Sequence, residues 1–136
     1  MSYLASAALQ RALYDRLTDA SVPAEMAGVP VVDMLPEGPL PETYIALGPE
    51  RVRDASTKTS RGAEHRITIT VTSAGGGFQR AKQIAGAVCE QLEAAVPALD
   101  SGRLCNLDFV RAQAGRGPSG AARSIELIFR AIIDDL

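Results

Sequence analysis

The spacing of apolar residues divides the chain into two helical segments and four segments that alternate like strands. In the first helical segment, apolar residues recur every three or four positions and share one helix face: Leu9, Leu13, Leu17 and Ala20. Ser2 or Ser6 would cap this helix at its start. Val22-Pro23 would end it, because the residue before a proline avoids the helical region.

A proline-rich stretch follows this helix. Five of the eight prolines lie within residues 23–41. Because proline fixes φ and lacks an N–H, we interpret this stretch as a connector rather than a regular element. Residues 29–32, Val-Pro-Val-Val, could still add a short edge strand, and a segment of this length could also reach a neighbouring subunit.

Four segments carry the pattern of strands. Residues 43–47 are mostly apolar and end at Gly48-Pro49. Residues 66–72 alternate strictly, with Ile and Val on one face and Thr on the other, which is typical of a half-buried antiparallel strand. Residues 103–111 and 123–133 alternate in the same way. The inward side chains of these two strands are predicted as Cys105, Leu107, Phe109, Ile125, Leu127, Phe129, Ala131 and Ile133.

A second helix is predicted over residues 78–96, between the three glycines at 75–77 and Pro97. Its core stripe would be Ala81, Ala85, Val88 and Leu92. The predicted element order is therefore α-β-β-α-β-β. We expect one α+β domain over residues 1–136, a two-layer sandwich in which two helices cover one face of a mostly antiparallel four- to five-stranded sheet.

Composition narrows the classes of function. The chain has 136 residues, 46% of them hydrophobic and 22% charged, as expected for one globular domain. Sixteen acidic and fourteen basic side chains give a net charge of −2, whereas a dedicated DNA-binding protein is normally basic. No apolar run is long enough to span a membrane, and the N-terminus lacks the features of a secretory signal. Cys89 and Cys105 are expected to be reduced and buried.

The candidates for chemistry are few. Residues 115–120 match G-x-G-x-x-G, but the dinucleotide-binding version needs a following helix, and an alternating strand follows here. His65 is the single histidine and is expected to be a surface residue at the start of a strand. Asp134 and Asp135 are adjacent on an extended tail and would point apart. We therefore predict no enzyme activity, no cofactor and no metal.

The placement of charge is more informative than its total. Residues 51–66 hold five bases and two acids, and residues 111–123 hold three bases and no acid. Both are predicted to be connections between strands. They are either solvated loops or contacts with an acidic surface, such as DNA phosphates or a neighbouring copy of the chain. Ile128 and Ile132 on the outward face of the last strand also suit a covered surface, and this strand could pair between subunits if it lies at the edge.

Several segments together resemble the tail-completion family of long-tailed phages. Residues 40–48, LPETYIALG, resemble that family's strand of proline, aromatic, aliphatic and glycine residues. Residues 54–58 match the family's polar loop, and residues 62–65 match the approach to its alternating strand. Residues 81–85 match its second helix, residues 102–104 the opening of the next strand, and residues 129–131 the closing strand. Ala55 and Thr72 depart from the family, which has aromatic residues near these places.

This family resembles the lambda-type tail terminators and also occurs in gene transfer agents of alphaproteobacteria, whose members this chain resembles in composition and length. The resemblance implies a homo-hexameric ring in the virion tail, assembled in the host cytoplasm, that caps the tail tube, stops its polymerisation and joins it to the head. Its partners would be the tail tube protein and the head-tail adaptor or head-completion protein. Double-stranded DNA would pass through the ring without sequence-specific contacts, and no membrane would be a partner. The alternative within the structural class is a head-completion or adaptor protein of the neck. The alternative from another class is a small enzyme or nucleotide-binding domain that uses the glycine loop. The predicted contacts with a subunit or the DNA channel are Arg51, Arg53, Lys58, Arg61, Arg116, Ile128 and Ile132.

Overall fold

Five strands form one sheet in the order β1-β2-β3-β5-β4. The computed structural model describes residues 3–33, 37–39, 41–75, 77–94, 96–117 and 121–134. Its elements are α1 (Ser6–Thr18), a 3-10 helix (Ala24–Met26), β1 (Val31–Val32), β2 (Thr43–Asp54), β3 (Gly62–Ser73), α2 (Gly77–Glu93), β4 (Arg103–Arg116) and β5 (Arg123–Asp134). The α+β class is confirmed. The sheet is mixed, since β1 runs parallel to β2 while the other pairs are antiparallel.

Both helices pack on one face of the sheet and form a single core with it. The buried residues of α1 are spaced by four, and α2 contributes Ala81, Ile84, Ala85, Val88 and Leu92. A reciprocal pair of hydrogen bonds holds the helices together: Arg16 Nε donates to the Gln91 carbonyl, and Gln91 Nε2 donates to the Arg16 carbonyl, both at 3.0 Å. The expected helix layer is thus present, and within the residues that the structure describes the opposite face of the sheet carries no helix.

The predicted end of the first long strand is wrong. β2 continues through Gly48-Pro49 to Asp54, and the register with β3 shifts between Leu47 and Glu50. A bulge admits a proline into a strand because the extra residues need no partner in the ladder. As a result, Arg51 and Arg53 lie on a strand rather than in a loop.

Other boundaries also differ from the predictions. β4 extends to Arg116, so the first two residues of the glycine motif lie in a strand, and residues 118–120 are outside the described residues. α1 ends at Thr18, and Ser6 is its first residue rather than its cap. Ser2 lies outside the described part, and Ala20 is exposed beyond the helix. α2 ends at Glu93, ahead of the predicted residue 96.

The inward faces of the strands are largely as predicted. The five inward residues of β5 are all buried. On β4 a register shift at Cys105 puts Leu104 inward beside Leu107, so Cys105 does not join the core stripe. Cys89 and Cys105 are both free, but they are half-buried rather than buried.

Candidate functional site

The open face of the sheet carries a row of arginines. Arg51 on β2 lies opposite Arg66 on β3, and Arg66 lies opposite Arg130 on β5. Asp108 on β4 completes the row beside Arg130. The Cβ atoms of residues directly opposite each other on one face lie about 5 Å apart, so the three arginines stand next to one another across the sheet. We call Arg51, Arg66 and Arg130 the arginine row.

Two carboxylates offset part of this charge. Glu64 Oε1 lies 3.1 Å from Arg66 Nε, and Glu64 Oε2 lies 2.5 Å from Arg53 Nε. Asp108 Oδ2 lies 3.5 Å from Arg130 Nη2. Arg51 makes no ion pair with any described residue. The row therefore keeps one exposed guanidinium whose charge is not offset by a neighbour.

Glu64 is the buried anchor of this cluster. Its side chain is 4% exposed, and it accepts a hydrogen bond from each of the two arginines. Burial alone would raise the pKa of Glu64, but the hydrogen bonds from Arg53 and Arg66 outweigh it, and the pKa lies below its ordinary value. The carboxylate stays charged and fixes two guanidinium groups on the open face.

A groove of about 490 Å³ runs beside the arginine row. Its lining includes Arg51, Arg66 and Arg111, the hydroxyls of Thr68 and Thr70, and the apolar side chain of Ile128. Two carboxylates, the exposed Glu126 and the half-buried Glu50, also belong to this lining, so the arginines outnumber the acids by three to two. Guanidinium and hydroxyl donors lining one groove favour an anionic partner.

The structure brings together only some of the predicted contact residues. Arg51, Arg53, Ile128 and Ile132 share the open face of the sheet. The two predicted residues Lys58 and Arg61 lie in the turn between β2 and β3, at one end of the sheet. Arg116 lies at the opposite end, in the last position of β4.

The prediction of two basic loops is therefore wrong for Arg51, Arg53 and Arg116, which belong to strands. Sequence reasoning did not recognise Arg130 as a contact residue. The signal was present, because Arg130 alternates with Ile128 and Ile132 on the outward side of β5. Only the register of β2, β3 and β5 shows that it lines up with two other arginines.

The last strand does not lie at the sheet edge. β5 lies between β3 and β4, and β4 is the long edge strand. Ile128 and Ile132 are accordingly half-buried within the open face rather than at its margin.

The expectation that His65 is a surface residue is also wrong, since it is fully buried. Its side chain points to the helix layer, with Nδ1 3.5 Å from Glu50 Oε2, and neither ring nitrogen has a hydrogen-bond partner among the described residues. Glu50 accepts hydrogen bonds from the Ser6 hydroxyl and, at 2.6 Å, from Tyr3 Oη. Burial raises the pKa of Glu50, but these hydroxyl donors outweigh it and lower the pKa overall. The cluster ties the start of α1 to β2.

Two other kinds of site are absent from the described residues. No group of three histidine, cysteine, aspartate or glutamate side chains there is arranged to hold a metal ion. No helix in that part of the chain is long and apolar enough to cross a membrane.

Comparison with known proteins identifies the family. The chain is similar to a protein chain in the structure described as "Virion of native gene transfer agent (GTA) particle", with 44% identity, a TM-score of 0.86, and coverage of 98% of this chain and 99% of that one. The comparison with curated proteins gave no match. The family of the tail completion protein gp17 matches residues 11–134. The resemblance seen in the sequence is thus confirmed, and the chain belongs to the tail completion protein gp17 family.

Proposed function

We propose that this chain is the tail terminator of a phage-like particle. Its family, and its near full-length similarity to a chain of a gene transfer agent virion, support a structural role in the tail. The finer proposal is that six copies form a ring that caps the tail tube, ends its polymerisation and joins it to the head through an adaptor protein. The ring assembles in the host cytoplasm and becomes part of the virion.

The arginine row is the surface that we assign to the channel of this ring. Among the described residues of the open face, no aromatic side chain is exposed, whereas the centres of protein interfaces usually have aromatic anchors. Guanidinium groups are well suited to phosphate oxygens. This favours DNA over a protein as the partner of this face.

Partial neutralisation suits a surface that DNA slides past. Glu64 and Asp108 already pair with Arg66 and Arg130, so they compete with phosphate for two members of the row. Each phosphate contact adds affinity that depends on salt. A row with one unpaired guanidinium, Arg51, would hold DNA weakly and let it pass.

The role is tested by removing the protein from particle production. Without it, we expect electron microscopy to show tails of uncontrolled length and heads without tails, and adding the purified chain to polymerising tube protein should stop elongation. The assembly that caps a tube end should contain six copies of the 14.3-kDa chain, which is a native mass of about 86 kDa. Normal tail lengths without the protein would contradict the terminator role, and twelve copies in the neck would support the adaptor alternative instead.

The channel assignment is tested by Arg51→Glu. We expect rings of normal mass but several-fold weaker, salt-sensitive binding of duplex DNA to the ring. Lys82→Glu makes the same charge change on α2 and should leave DNA binding unchanged. Equal effects of the two variants would contradict the assignment.

A further inference from the structure

The long edge strand of the sheet has an apolar strip that no described residue covers. Phe109, Ala112 and Ala114 lie opposite the buried Phe129, Leu127 and Ile125 of β5, so they point to the helix side. We call these three β4 residues the β4 strip. All three are nevertheless exposed, with Phe109 46% accessible, because α2 covers only the start of β4.

The edge of β4 adds to this exposed surface. β4 pairs with β5 on one side, and on its other side the described part of the chain has no neighbouring strand. An uncovered 14-residue edge strand exposes a row of backbone donors and acceptors, which natural proteins normally protect. The strip and the edge together form a surface suited to another protein chain.

A second apolar surface lies at the opposite edge of the sheet. There, a groove of about 860 Å³ is lined by Leu4, Ala7 and Tyr14 from α1 and the residues just before it, and by Val31 and Val32 of β1. We call this the α1 groove. Leu4 is 80% exposed and Tyr14 43%. Exposed large apolar side chains gathered in one groove mark an interaction site.

The two surfaces match in position and length. β1 and β4 are the two edges of the sheet, roughly 19 Å apart at the usual strand spacing. Residues 109–114 of an extended strand span roughly 17 Å. The part of α1 from Ser6 to Tyr14 spans roughly 12 Å, and Leu4 lengthens the groove beyond the start of the helix. Different surfaces on opposite sides of one subunit generate head-to-tail contacts, which close into a ring when the rotation allows.

Charge at the two surfaces is complementary. Arg116 lies on the same side of β4 as the strip and has no ion pair among the described residues. The α1 groove has Asp33 and Asp100 in its lining. Its one arginine, Arg11, already faces Asp15 at 3.6 Å. The groove therefore carries acidic residues and the strip has a basic residue next to it, which favours correct pairing.

We propose that the β4 strip of one copy packs into the α1 groove of the next copy, and that this contact repeats around the ring. The inference rests on the proposed ring and names the surfaces that form it. It also gives a role to Arg116, which lies away from the arginine row. Sheet edges would then join subunits while the open sheet face borders the channel.

The first test places a charge in the strip. Ala112→Glu should raise the dissociation constant of the assembly roughly 100-fold, because the contact would bury a carboxylate without a partner. Gln113→Glu adds the same charge to the adjacent residue, which points to the open face, and should leave assembly unchanged. Both positions are exposed, so both variants should keep the wild-type circular dichroism. Their melting temperatures should also equal that of wild type when the proteins are compared at a concentration where each is monomeric.

The second test uses the head-to-tail geometry. Ala7→Glu places the same charge in the α1 groove, at an exposed position of α1. Each variant alone should be monomeric. An equimolar mixture should form one-to-one heterodimers and nothing larger, because the intact strip of the Ala7→Glu chain can occupy the intact groove of the Ala112→Glu chain. Analytical ultracentrifugation measures the product.

Two results would overturn the inference. A wild-type chain that stays monomeric up to about 1 mM has no such contact. A wild-type hexamer that Ala112→Glu leaves intact closes through other surfaces. If Ala112→Glu instead abolishes binding to tube protein but not the hexamer, the strip contacts the tube. The tail terminator role has its own test in tail length, so the two ideas can fail separately.

Discussion

β4 and β5 form one antiparallel hairpin, yet they lie in different environments. Phe129 of β5 is 1% exposed, and Phe109, its register partner on β4, is 46% exposed. The two rings make an edge-to-face contact at 5.9 Å. The same residue type in the same row of the sheet is buried on one strand and half in solvent on the next.

The difference comes from the helix layer. α2 packs on β3 and β5, and of β4 it covers mainly the beginning, where Leu104 is buried. The remaining inward residues of β4 therefore face solvent. Alternation decides which way a side chain points, whereas the number and position of helices decide whether anything covers it.

The largest expected effect separates the two phenylalanines. Phe129→Ala should lower the free energy of unfolding by about 4 kcal/mol, since it leaves a cavity in the centre of the core. Phe109→Ala should cost only about 1 kcal/mol, because its ring is half in solvent already. Denaturant unfolding at one fixed protein concentration measures both, since any association would add to apparent stability.

Equal losses for the two variants would mean that β4 is covered to the same extent as β5. A match between the m-values of wild type and variants confirms that the folded and unfolded states remain comparable. The difference between Phe129 and Phe109 would then be a difference in their contribution to stability as well as in their exposure.

A smaller change in stability is expected from replacing the glycines at the two ends of β4. Gly102, just before the strand, has φ of +79°, and a Cβ there would lie 2.9 Å from the Asp134 carbonyl oxygen. Gly102→Ala should cost about 2 kcal/mol. Gly115, near the other end, has open space around it, so Gly115→Ala should be neutral or stabilise by about 0.5 kcal/mol. Thermal unfolding of both variants checks this, and a destabilising Gly115→Ala would show that the far half of β4 is packed.

Much of the fold could be predicted from the sequence because its strands alternate cleanly. The inward side of β5 and the stripe of α2 agree with the prediction, since periodicity reports direction directly. The bulge at Gly48-Pro49 could not be predicted, because a Gly-Pro pair marks a turn as readily as an irregularity inside a strand. That error placed Arg51 and Arg53 in a loop.

The candidate site was predicted only in part for a related reason. Charge counts along the chain find basic segments, but the arginine row comes from β2, β3 and β5, whose alignment depends on register. The burial of His65 was missed because a polar residue at a predicted strand start gives no sign of the helix layer above it. Long-range pairing and coverage are tertiary properties that local patterns do not contain.

The smallest expected effect compares a buried and an exposed glutamate on the open face of the sheet. Glu64→Gln should lower the free energy of unfolding at pH 7 by about 1.5 kcal/mol, because it weakens two charged hydrogen bonds at a buried carboxyl. Glu126→Gln on the same face, at an exposed position, should stay within about 0.5 kcal/mol of wild type.

The pH dependence identifies the charge of Glu64 as the cause. The folded state lowers the pKa of Glu64 below its ordinary 4.5, so in this range the unfolded state binds more protons and stability rises with pH. The stabilisation is present above about pH 4.5 and is lost as the pH falls through the lower pKa of the folded state. The gap between wild type and Glu64→Gln should therefore close on acidification, while Glu50, whose pKa is also lowered, keeps some acid sensitivity in the variant. A gap that persists unchanged to pH 3 would mean that the side chain acts through its shape, and that the arginines on the open face are held by packing rather than by charge.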